Sequence, residues 1–275
     1  MPQKLIVLFF YIFGLCLTGF AQGDLLITPK RVVFEGNMQK EELNLVNIGT
    51  DTAVYSISFL QYNMKEDGSF VRIEKPDSGQ MFADPYLRVF PRRVTLAPRE
   101  PQVVALQYRR QPNMAEGEYR SHLYFRSEKE NKPLGMDNQT SDTAQLKIEL
   151  IPIFGLSIPV IIRTGITNAK STLSDLKIEV KEDTTQYLKL TINRTGNASV
   201  YGDLNVIYVP VEGKPYEIGV ANGVGVYTNL SKRSIAVKLK TTPGMNLKNG
   251  KLKVEYVSSI ITKPEIFSQA ELQLK

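Results

Sequence analysis

Residues 145–162 read "QLKIELIPIFGLSIPVII", with an apolar side chain at every even position from Leu146 to Ile162. The period of two is that of a β-strand whose alternate residues face opposite sides, and the run is about three times the usual strand length of ~5–6 residues. Such a stripe suits two roles. It can pack the core of its own sheet, or it can be offered to another chain, and the other face (Ile151, Ile153, Ile161) is apolar enough to keep both roles open.

Shorter alternating stretches surround it. "RVVF", "EELNLVNI", "AVYSISFLQY", "QVVALQYRR" and "RSHLYFRS" precede the stripe, and "LKIEVKE", "YLKLTINR", "LNVIYVP", "SIAVKLK", "KLKVEYVSS" and "AELQLK" follow it. From Asp24 onward no segment holds a helical period over three turns. Many short strands separated by turn residues predict an all-β chain of antiparallel sandwiches. Arg163 ends the stripe and Thr164-Gly165 breaks the pattern, which divides the chain into residues 22–163 and 164–275. Each part has the size of one immunoglobulin-like domain. The polar stretch "SEKENKPLGMDNQTSDT", residues 127–143, is expected to be a mobile loop leading into the stripe.

The first 21 residues read as a secretory signal peptide: Lys4, the apolar run Leu5–Leu17, then Gly19-Phe20-Ala21 as a small-x-small cleavage site. The run is too short to span a bilayer of ~30 Å as a helix. Its removal takes away Cys16, the single cysteine, and leaves 33 basic and 28 acidic side chains, or +5. A secreted chain of this size without a disulfide fits a bacterial periplasm. The mild, scattered excess of positive charge gives no footprint for nucleic acid.

Catalytic chemistry has little material. With His122 as the one histidine and no cysteine after cleavage, Cys-His nucleophiles, thiolate metal sites and multi-histidine metal sites are excluded. His122 lies in "EYRSHLYFRS" on the face shared with Arg120, Tyr124 and Arg126, and reads as an ordinary surface residue. No glycine-rich phosphate loop follows a strand. These readings predict no enzyme, no metal, no cofactor and no small-molecule substrate.

Three stretches resemble the periplasmic pilus-assembly chaperones of the PapD-like family: "ITPKRVVFEGNMQKEELNLVNIG", "FADPYLRVFPRRVTLAPREPQVVALQYRRQP", and "GEYRSHLYF" followed by the polar loop and the stripe. They cover residues 24–163 in family order. The resemblance implies two immunoglobulin-like β-sandwiches in series. It implies a periplasmic protein that binds secreted pilin-like or surface-fibre subunits by lending its striped strand to complete their fold, with an outer-membrane usher as a further candidate partner. Leu146, Ile148, Leu150, Phe154 and Leu156 would be the donor side chains, Arg31 with its neighbour Lys30 would hold a client carboxylate, and Arg163 would tie the two domains together. The chain departs from the family where a second anchoring lysine is expected: Ser157, Ile158 and Pro159 stand there, and Pro152 interrupts the stripe. Arg120 replaces the acidic residue that pairs with the terminal arginine, leaving Glu118 as the candidate partner of Arg163. The rival expectation is a structural or adhesive surface protein that uses two sandwiches as a spacer and donates nothing.

Overall fold

The computed structural model describes residues 25–128, 153–180, 185–240, 247, 249–259 and 265–274. The first ten strands are β1 (Leu25–Thr28), β2 (Val32–Phe34), β3 (Lys40–Asn47), β4 (Ala53–Met64), β5 (Phe70–Ile73), β6 (Leu87–Phe90), β7 (Arg93–Leu96), β8 (Pro101–Tyr108), β9 (Gly117–Glu128) and β10 (Gly155–Thr164). They build one sandwich from the sheet β1-β3-β8-β6 and the sheet β2-β10-β9-β4, with β5 and β7 both pairing with β4. The other seven are β11 (Ala169–Val180), β12 (Gln186–Gly196), β13 (Val200–Val209), β14 (Tyr216–Val226), β15 (Lys232–Lys238), β16 (Lys251–Ser258) and β17 (Ile266–Gln273). They form a second sandwich from the sheets β11-β12-β15 and β14-β13-β16-β17. The protein is all-β, two antiparallel sandwiches in series, and among the described residues the one helical element is a single 3-10 turn, Asp84–Tyr86.

Two cores follow from the alternation. One gathers Phe34, Leu43, Leu45, Leu106, Phe125 and Val160; the other gathers Leu188, Leu204, Val206, Leu252, Val254 and Tyr256. In β13 and β16 buried and half-buried residues alternate along the whole strand, as a sheet with one wet face requires. Strand β9 is different, with both faces buried over most of its first half. One face meets its own core; Glu118, Arg120 and His122 on the other meet the second sandwich. His122 is therefore not a surface residue, as its polar neighbours suggest, but is 6% exposed. The second sandwich covers a strand face whose composition alone reads as wet.

The first strand changes sheets. β1 pairs antiparallel with β3; residues 29–31 then cross to the opposite sheet, where β2 pairs parallel with β10 at Val32–Phe34. Because β2 covers only Val160–Ile162 of β10, no described strand pairs with Gly155–Pro159 on that side. The crossover thus leaves half of β10 as an open edge.

Candidate functional site: an open strand edge and an arginine cleft

The stripe divides at the crossover. Ile158, Val160 and Ile162 are 3%, 0% and 0% exposed and belong to the first core. Leu156, two residues earlier on the same face, is 43% exposed, and Phe154 is half-buried. Both line a groove of about 520 Å³ that runs between the two sheets, with Leu25, Ile27, Tyr55 and Phe125 in its walls. Leu26 and Ile48, both more than two-fifths exposed, add apolar surface to its rim. Leu146, Ile148 and Leu150 lie outside the described residues.

Backbone polarity at this edge follows from the ladder. The Ser127 N–H donates to the Phe154 carbonyl at 2.8 Å, and Phe125 stands opposite Leu156. In an antiparallel pair this turns the N–H and C=O of the even residues toward β9 and those of Gly155 and Ser157 outward. Pro159 brings a carbonyl but no N–H to the same edge. On the outer face Tyr124 lies over Gly155, where an added Cβ would meet the tyrosine hydroxyl at 2.2 Å. The edge therefore presents backbone groups at Gly155 and Ser157 beside an apolar groove.

The crossover separates Lys30 from Arg31, which line two different cavities. Lys30 is exposed and borders the apolar groove. Arg31 points into a cleft of about 530 Å³ between the sandwiches, which it shares with Glu35, Arg163, Ser199, Tyr201 and Ser258. Its guanidinium lies 4.2 Å from the centre of the Tyr201 ring, within cation–π range. Among the described residues it donates no hydrogen bond and has no carboxylate within ion-pair distance. Burial, followed by repulsion from Arg120, lowers its pKa to about 10; Arg163 adds to the effect and Glu118 opposes it.

Arg163 sits on the wall of the same cleft. Its Nε donates to Glu118 Oε2 at 3.2 Å, it pairs with Glu35, and its other terminal nitrogen reaches the Ser199 carbonyl of the second sandwich at 3.4 Å. Glu118 is the centre of this network. It is 1% exposed and also accepts from Arg120 (2.6 Å), from the Ser199 N–H (3.0 Å) and from the Ser199 hydroxyl (2.7 Å). Burial would raise its carboxyl, but the two guanidinium groups and the serine hydrogen bonds outweigh that and hold it at about 2. Glu118 is thus a carboxylate used by the joint between sandwiches, and among the described residues no carboxylate pairs with Arg31. The sequence points to Arg31, Arg163 and Glu118; it carries no signal for Ser199 or Tyr201, which reach the cleft only through the placement of the second sandwich.

His122 does not face the cleft opening. Its Nε2 lies 3.2 Å from the Tyr227 hydroxyl, and Tyr62 and Phe70 pack edge-on to its ring. Burial, then the nearby Arg120, lowers its pKa to about 3, so the ring is neutral. Among the described residues there is no cluster of three or more His, Cys, Asp or Glu side chains able to hold a metal.

No protein-family model matches the sequence, and no curated protein sequence matches it. Solved structures do resemble it. The YadV chaperone aligns over 91% of this chain and 100% of its own, at 12% identity and a TM-score of 0.44. The CsuC–CsuE chaperone–tip adhesion subunit pre-assembly complex of Acinetobacter baumannii aligns over 91% and 99%, at 15% and 0.44. The CupB2 chaperone of Pseudomonas aeruginosa aligns over 90% and 100%, at 13% and 0.42. All three are chaperone structures.

Proposed function

We propose that this protein is a non-enzymatic chaperone that holds a secreted, fibre-forming subunit by strand addition at the open edge of β10. The observation that carries this reading is the split of the stripe: Ile158 to Ile162 are core, while Phe154 and Leu156 continue the same face into an open apolar groove beside unpaired backbone. Open apolar edges are an aggregation hazard that folded proteins avoid unless they use them. Main-chain hydrogen bonds from Gly155 and Ser157 supply affinity, and alternate side chains, Leu156 and Phe154 with Leu150, Ile148 and Leu146 upstream, supply specificity. Arg31, a desolvated cation with no carboxylate partner among the described residues, is the anchor for a carboxylate at the end of the bound segment; Lys30 offers a weaker, solvated charge on the groove side. Such a client belongs to the periplasm, reached through the signal peptide, with an outer-membrane usher as the next partner.

A photo-crosslinking amino acid placed at Leu156 tests the reading in the native host. The expected result is one adduct, with the crosslinked peptide mapping to a terminal segment of a small secreted subunit, and no adduct from the same group at exposed Thr95. Equal, unselective labelling from both positions would support a spacer that donates nothing.

A further inference from the structure

The two-stranded end of β4 and β5 leaves its own sandwich. Strand β4 pairs with β9 only as far as Leu60; from Gln61 to Met64 its described partner is β5. The hairpin tip, Lys65–Ser69, lies on the second sandwich. There the Ser234 N–H donates to the Glu66 carbonyl at 2.7 Å. The Asn229 amide donates to the Met64 carbonyl at 2.8 Å and to Asn63 Oδ1 at 2.6 Å. Phe70 packs against Tyr227 with ring centres 5.5 Å apart. Met64 belongs to neither core, yet it is 3% exposed. Gly68, with φ of +85°, passes so close to Arg233 that a Cβ would stand 2.3 Å from its guanidinium.

Domains in series move relative to one another unless their interface is large and well packed. From these contacts we infer that the β4–β5 hairpin is a strap that fixes the angle between the sandwiches, so that the cleft around Arg31 is preformed instead of closing around a ligand. Arg120 joins the two ends of the device. It bonds Glu118 and Ser199 at the cleft, and its guanidinium lies 3.8 Å from the centre of the Tyr227 ring on the strap side. The hinge segment, residues 165–168, is thereby flanked by two ties, the Glu118 network and the strap, which meet at Arg120. On this reading Arg31 and Tyr201, from different sandwiches, keep their stacking distance only while both ties hold. The inference concerns the geometry of the cleft and holds whether or not a subunit is its ligand.

The test needs no ligand. In a full-length Cys16→Ser background, spin labels at Thr95→Cys and Lys214→Cys report the distance between the sandwiches by pulsed electron resonance. The unaltered strap should give one narrow distance distribution. The double variant Phe70→Ala, Asn229→Ala should broaden and shift it while far-ultraviolet circular dichroism keeps the β signature. Gly68→Val, which wedges the tip off Arg233, should do the same by a different route. A narrow, unshifted distribution in both folded variants overturns the inference and leaves the Glu118 network as the only tie.

Discussion

Leu156 and Ile158 share one face of β10 and differ in what covers them, so the same substitution at each separates a client-facing side chain from a core one. At Ile158, 3% exposed, Asn removes a fully buried aliphatic side chain, a loss of about 1.5–3 kcal/mol in transfer terms, and adds an amide that needs a partner, another ~1–3 kcal/mol. The total is about 2.5–6 kcal/mol. At Leu156, 43% exposed, roughly half of the transfer term is already forfeited to water and the amide stays hydrated, so the cost is about 1 kcal/mol or less. One kcal/mol moves Tm by about 2–4 °C in a chain of this size, so Ile158→Asn should lower Tm by roughly 5–24 °C and Leu156→Asn by only a few degrees. Thermal unfolding of the purified protein alone, followed by circular dichroism, reads both. In a capture assay Leu156→Asn should then lose the partner while remaining folded. Equal, large drops in Tm would mean that the groove is closed by packing at Leu156, and the strand-addition reading would fall with it.

Arg31→Ala should abolish capture and leave Tm unchanged or slightly raised, because the charge it removes is desolvated and repelled by Arg120 and Arg163; a clear loss of stability would show that Arg31 is structural. Glu118→Ala removes the acceptor from two partly buried guanidinium groups, and calorimetry should find about 3–5 kcal/mol of destabilisation, far more than for an exposed pair such as Lys40–Glu42. The pH dependence has two stages. His122 is held neutral by the fold, at about 3 against 6.5, so the unfolded chain binds the extra proton as pH falls below 6.5 and stability should drop by about 2–3 kcal/mol by pH 4.5. Glu118, lowered from 4.5 to about 2, contributes stability that is present above pH 4.5 and is lost below it. Denaturant titrations of His122→Phe should lack the upper stage and keep the lower one; an unchanged slope between pH 6.5 and 4.5 would rule His122 out as its source.

Period-two alternation is a property of neighbouring residues, so the sequence alone determined that this chain is all-β, and it placed the even residues from Leu146 to Ile162 on one face of a strand. Strand β14, "YEIGVANGVGV", escaped because its glycines carry no side chain to show a period. Arg31, Arg163 and Glu118 were legible as charges at particular places along strands. What they do depends on non-local geometry. The exposure of Leu156 beside buried Ile158 is set by where β1 leaves its sheet, and the stripe is equally apolar on both sides of that point. The burial of His122 is set by the second sandwich lying on β9, and a polar strand face looks the same in sequence whether water or another domain covers it. Tyr201, Ser199 and Tyr227 reach the joint through non-local contacts such as Ser199 to Glu118, which are 81 positions apart. Local pattern fixes which way a side chain points along its strand; only tertiary packing decides what it then meets.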